Sequence, residues 1–187
     1  MASIGRREFL KHSVAATAAA TVMASSRAAG ANDRVVVGFM GAGGRGGYLA
    51  DEFAQRDDVE IRYVADPDLR RVESLTASLE KATGKKPQGF QDFRRMLDDP
   101  EVNAIVSATP DHWHALGTVL ACQAGKDVYV EKPTSHSIWE SRKMVEAARK
   151  YGRVVQVGAQ NRSNDNIVQA IEYVRSPQFG DIHFVRV

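Results

Sequence analysis

From Arg34 onward the polar and apolar positions switch repeatedly between two periods. Residues 34–40 form a nearly unbroken β-branched and apolar run, the pattern of a strand buried on both faces of a parallel sheet. Leu49, Ala50, Phe53 and Ala54 then mark one face of a helix over 48–55, and residues 60–65 form a second strand that ends at Asp66. Leu69, Val72, Leu75 and Leu79 recur at helical intervals and predict a helix over 69–82. Gly84, Pro87 and Gly89 predict a loop that leads through Phe90 to a short helix at 92–97. Strands follow at 103–108, 127–131 and 153–158, separated by helices at 112–124 and 137–151, with a last helix at 165–175. Ser137 with Glu140 makes a capping box for the second of these, and Gly152 stands just past its end. Strands alternating with helices predict an α/β fold, a doubly wound parallel sheet with right-handed crossovers. Residues 181–187 alternate as a further strand would.

The first thirty residues follow another pattern. Arg6, Arg7 and Lys11 precede an apolar run of eleven residues, Val14 to Ala24, and Ala29-Gly30-Ala31 offers a small-x-small cleavage site. Residues 1–31 are therefore expected to be a signal peptide. The paired arginines followed by Phe9-Leu10-Lys11, and the Thr17 and Thr21 that dilute the apolar run, resemble the twin-arginine export signal. That resemblance implies the twin-arginine export machinery as a partner, a periplasmic or extracellular destination, and folding around a cofactor before export.

This segment also accounts for the charge. The chain carries a formal net charge of +2, but outside residues 1–31 it has 21 basic and 22 acidic groups, so nothing suggests a nucleic-acid partner. No apolar stretch is long enough for a transmembrane anchor. A single cysteine, Cys122, excludes a disulfide scaffold, a multi-cysteine zinc site and an iron–sulfur cluster.

Candidate chemistry begins where the first strand ends. Gly41-x-Gly43-x-x-Gly46 has the spacing of a dinucleotide fingerprint, with Gly44 and Arg45 completing the turn. The first glycine permits a tight turn, the second lets a pyrophosphate approach the backbone, and the third lets helix and strand pack closely. Helix N-terminal amides then face the phosphates. Asp66 stands twenty residues past Gly46 at the end of the second strand, where a carboxylate can accept hydrogen bonds from a ribose 2′-hydroxyl. This favours NAD over NADP, although Arg70 and Arg71 lie near. The reading is a Rossmann-type dinucleotide-binding domain.

Two more segments stand at strand ends: Thr109-Pro110-Asp111-His112-Trp113-His114 and Glu131-Lys132-Pro133. Together with the glycine fingerprint and Asp66, in this order and at these intervals, they resemble the Gfo/Idh/MocA oxidoreductases from Arg34 to the end of the chain. The resemblance implies NAD, or less readily NADP, in the first domain, and hydride transfer to or from a sugar or polyol hydroxyl. It makes Lys132 the catalytic lysine, with Glu131 anchoring a ribose hydroxyl or orienting Lys132. It also implies a cis peptide at Pro133, and a homo-oligomer.

Thr109 and Pro110 are expected to line the cofactor, and Trp113 and His114 to border the nicotinamide ribose or pack under the helix. A metal site at Asp111-His112-Trp113-His114 is not expected, because i and i+2 side chains diverge on a helix. Gln160 is placed by the resemblance within reach of the nicotinamide, and Arg162 of the substrate. Cys122 is expected to be a small buried residue.

The domain expectation is a signal peptide at 1–31, an NAD(P)-binding Rossmann domain at 32–160, and the start of a truncated substrate domain at 161–187. Only the first strand of that second α+β domain would be present. Alternative functions are an NAD-dependent glycosidase of the same family, or a dinucleotide-binding fragment without activity.

Overall fold

The computed structural model describes residues 34–186; the signal-peptide assignment lies outside them. Six strands form one parallel sheet: β1 (Val35–Met40), β2 (Val59–Ala65), β3 (Gln88–Phe90), β4 (Ala104–Ser107), β5 (Asp127–Glu131) and β6 (Val155–Gly158). Their order is β3-β2-β1-β4-β5-β6. The helices are α1 (Gly44–Ala54), α2 (Leu69–Thr83), α3 (Arg94–Leu97), α4 (His114–Gln123), α5 (Ile138–Tyr151) and α6 (Asp165–Arg175).

Successive side chains of a strand point to opposite faces, and β1 divides the core accordingly. Val37 and Phe39 pack with Leu49 and Ala50 of α1 and Leu75 and Leu79 of α2. Val36 and Met40 face the other way, into a cluster with Met96, Cys122 and Met144 from α3, α4 and α5. Helices thus cover both faces, and β1 and β4 stand at the point where the chain switches direction across the sheet. Ligands of such sheets bind in the crevice at the carboxyl ends of the strands there.

The local signals mostly act as their chemistry requires. Ser137 and Glu140 form both halves of the capping box, and α5 stops at Gly152 with φ of +61°. Asp68 caps α2 by accepting from the Arg70 amide.

Three elements differ from expectation. Residues 88–90, expected as loop, form an edge strand paired with Tyr63–Ala65, because ladder hydrogen bonds with β2 override three residues of weak propensity. Helix α1 starts at Gly44, not at residue 48, since packing against β1 outweighs the poor helix propensity of Gly46 and Gly47. Residues 181–186, expected as the first strand of a second domain, form no strand. An extended run becomes one only by exchanging backbone hydrogen bonds with a neighbour, and none of the described residues supplies it. No helix among the described residues is long and apolar enough to cross a membrane.

Candidate functional site

The glycine turn is built by steric necessity. Gly41 has φ of +96°, and a Cβ there would stand 2.9 Å from the Ala108 carbonyl and the Thr109 nitrogen. At Gly46 a Cβ would overlap the Gly41 carbonyl oxygen, so α1 can lie this close to the turn only without a side chain. Gly44 differs: a Cβ there would meet nothing within 4 Å. Open space therefore faces the first turn of α1, whose N-cap is Gly43 with no side-chain cap and which carries no acidic residue. The amides that a helix leaves unpaired at its start are available to an anion.

Asp66 stands beside this turn, buried, and holds it in place. Its Oδ2 accepts from the Ala42 amide and its Oδ1 from the Asp68 amide, each at 2.9 Å. Each oxygen keeps a further lone pair for a ligand hydroxyl. Asp66 borders a cavity of about 700 Å³ together with Arg71, Phe93, Thr109, Pro110 and Trp113. Phe93 and Trp113 meet edge to face with ring centroids 6.4 Å apart. Trp113, expected to border the nicotinamide ribose or pack under the helix, lines this cavity with Asp66, where the turn at Asp111–Trp113 sets it against Phe93. Phe93 escaped the sequence reading, since it enters the site only through the pairing of β3 with β2. Arg70 is held by Asp68, Nη2 to Oδ2 at 2.9 Å, while Arg71 lines the cavity.

On the other side of the turn, β5 delivers Glu131 and Lys132. Glu131 is buried and its Oε1 accepts from Arg45 Nε at 2.8 Å and Nη2 at 2.5 Å. The bond to Glu131 raises the affinity of the Arg45 guanidinium for its proton further above its ordinary value. Burial, then the Glu131 charge, pushes the Tyr129 hydroxyl up. Arg45, expected to bind cofactor, is therefore engaged by Glu131, because the first turn of α1 points it across the crevice to the end of β5. Of the two roles expected for Glu131, orientation has geometric support: its Oε2 accepts from the Lys132 amide at 3.2 Å. Lys132 itself is exposed, and its peptide bond to Pro133 is cis.

His114 is fully buried. Its Nδ1 lies 2.6 Å from the Pro133 carbonyl oxygen and its Nε2 lies 2.8 Å from that of Thr109. Each ring nitrogen faces a carbonyl oxygen, and the buried imidazole ties the two loops together, the packed one of the two placements expected for it. Gly158 pairs with Glu131 in register, so the turn that follows it, carrying Gln160 and Arg162, stands at the same edge with both side chains exposed. His112 and His136 flank Asp111 at 3.6 and 3.4 Å, and His136 holds the Asp111 carboxyl below its usual range. Among the described residues no three such side chains are spaced to hold a metal ion.

The uncapped helix start, the space before Gly44 and the buried Asp66 fit a dinucleotide, with its phosphates on the turn and a ribose at Asp66. Comparison with known proteins agrees. Residues 35–159 match the profile of the Gfo/Idh/MocA family, described as an oxidoreductase family with an NAD-binding Rossmann fold. The chain is 33% identical over 153 residues to an inositol 2-dehydrogenase of Rubrobacter xylanophilus, covering 81% of this chain and 42% of that protein. It is 24% identical to a glycosyl hydrolase family 109 protein of a Shewanella species, covering 97% of this chain and 45% of that one. The crystal structure of the WlbA dehydrogenase of Bordetella pertussis, in complex with NADH and UDP-GlcNAcA, superposes with a TM-score of 0.69 at 26% identity. That match covers 81% of this chain and 42% of the other. The chain thus spans less than half the length of these relatives. It belongs to the Gfo/Idh/MocA oxidoreductase family, and its parallel sheet is an NAD-binding Rossmann domain.

Proposed function

We propose that this chain is the cofactor-binding part of an oxidoreductase that moves a hydride between a sugar or polyol CH–OH group and NAD. The observation that carries the reading is the contrast between two neighbours at the end of β5. Glu131 is buried and locked, and Lys132 is exposed on the ligand edge with its backbone held by Glu131. An ammonium so placed hydrogen-bonds a substrate hydroxyl oxygen and stabilises the negative charge that develops as its proton is withdrawn. Bound NAD supplies the hydride acceptor; the chain supplies the turn at Gly41–Gly46, the Asp66 carboxylate and the Lys132 ammonium. The similarity to an inositol dehydrogenase and to a dehydrogenase crystallised with a nucleotide sugar supports the substrate class.

NADH formation over a panel of sugars, cyclitols and nucleotide sugars tests it. In a full-length version, Lys132→Ala is expected to lower turnover by about 10²–10⁴ while leaving NAD affinity nearly intact. Unchanged turnover would remove Lys132 from the chemistry.

The similarity to glycosyl hydrolase family 109 proteins across 97% of the chain favours a second reading, an NAD-dependent glycosidase. Release of the aglycone from an aryl glycoside without net NADH would decide for it. Export by the twin-arginine route completes the proposal. Replacing Arg6 and Arg7 by lysines is expected to abolish it, and continued export would sink the assignment.

A further inference from the structure

Arg45 and Glu131 lie 86 residues apart in sequence and meet across the crevice. Arg45 comes from the first turn of α1 and Glu131 from the end of β5. Both guanidinium bonds go to Oε1, and Oε2 takes the Lys132 amide. The Glu131 side chain is 5% exposed and that of Arg45 33%. Tyr48 supports the guanidinium from 5.0 Å, and a Cβ at Gly158 would come within 2.8 Å of Oε1. The carboxylate is thus confined, and among the described residues Arg45 is the cation that forms an ion pair with it.

Sheet order locates the pair along a bound dinucleotide. Asp66 follows β2, the glycine turn follows the adjacent β1, and Glu131 ends β5, two strands further on. With a ribose at Asp66 and the phosphates on the turn, the remaining half of the molecule extends toward β4 and β5. An oxidised nicotinamide ring carries a formal positive charge and the reduced ring carries none. A lone buried carboxylate on this wall would favour the oxidised form, and a lone guanidinium would oppose it.

We propose that Arg45 and Glu131 act as one neutral unit that sets the relative affinity of the site for NAD⁺ and NADH. The inference rests on the NAD-binding reading of the crevice. Arg45 acts here by balancing the charge of Glu131 and not by touching the reacting atoms. The consequence is a bound couple that neither redox state dominates, which suits a site that must both accept and return hydride.

The test titrates the 187-residue chain with NAD⁺ and with NADH, by calorimetry and by NADH fluorescence, and reads the ratio Kd(NADH)/Kd(NAD⁺). Arg45→Met is expected to raise the ratio roughly tenfold, the scale on which a neighbouring unit charge moves a charge equilibrium. Glu131→Gln is expected to lower it by roughly threefold, less because the freed guanidinium is partly solvated. The double variant is expected to return to within about twofold of the parent, and Arg45→Lys to stay near the parent because it keeps the charge.

A merely structural brace would weaken both forms by the same factor in every variant, and an unmoved ratio overturns the proposal. Should Arg45→Met fail to fold because it strands a buried carboxylate, Glu131→Gln and the double variant decide alone. Their ratios must then differ by roughly threefold, since only the double variant also removes the Arg45 charge. A parent chain that binds neither form would remove the NAD reading itself, an outcome distinct from binding with an unmoved ratio.

Discussion

Gly46 and Gly47 are sequence neighbours in α1, yet one added methyl is expected to move stability in opposite directions at the two. A Cβ at Gly46 would overlap the Gly41 carbonyl oxygen, stand 3.0 Å from the Gly41 carbonyl carbon and 3.7 Å from the Ala108 Cβ. The first two are backbone atoms of a residue already held at φ of +96°, so neither can rotate away. Either α1 moves off β1 or the turn opens. Overpacking of this kind costs about 1–3 kcal/mol, offset in part by the roughly 0.5–1 kcal/mol that alanine gains over glycine inside a helix. A Cβ at Gly47 meets nothing within 4 Å, so Gly47→Ala keeps the gain and carries no clash. For a chain of this size 1 kcal/mol moves Tm by about 2–4 °C. Gly46→Ala is therefore expected to lower Tm by up to about 10 °C and Gly47→Ala to raise it by about 1–4 °C. Calorimetric melting of both variants reads this directly. NAD titration adds a second measure. Moving the turn by Gly46→Ala misaims the free amides, and losing one charge-assisted hydrogen bond weakens binding by roughly tenfold to a hundredfold. Gly47→Ala is expected to bind as the parent does. A Gly46→Ala protein that melts no lower and binds NAD equally well would refute the claim that the third glycine is there for contact with the first.

Two further outcomes follow from the same coordinates. Asp66→Ala strands the buried Ala42 amide and the half-buried Asp68 amide and removes the ribose acceptor. It is expected to lower stability by about 1–3 kcal/mol and to weaken NAD relative to NADP by about 1–3 kcal/mol; a titration with unchanged preference would remove Asp66 from the ribose site. Cys122 is completely buried, and desolvation pushes its thiol up. It is expected to resist alkylation in the native chain at neutral pH and to react on unfolding, because the thiolate is the nucleophile; rapid native-state labelling, read by mass spectrometry, would contradict the packing around α4.

What the sequence made legible is what depends on neighbours along the chain. Ser137 and Glu140 can be read as a capping box because both partners lie within four residues, and Val37 and Phe39 can be read as facing one way because a strand has period two. The glycine spacing and Asp66 belong to the same class, since the turn is local and the acid stands at the next strand's end. The rest of the site is formed by the fold. Residues 88–90 become a strand only where β2 offers a ladder, and that pairing brings Phe93 to Trp113. His114 shows nothing in its neighbours to separate a ligand from a tie. Its role emerges only when Thr109 and Pro133, at the ends of different strands, present their carbonyl oxygens to one ring. Arg45 is the extreme case. Beside a glycine fingerprint an arginine reads as a cofactor contact, yet β4 inserts between β1 and β5 and sets the width of a crevice that this side chain spans to reach Glu131. The partner of a long cation is thus a property of strand order, and the electrostatics of such a site become legible only after the topology is known.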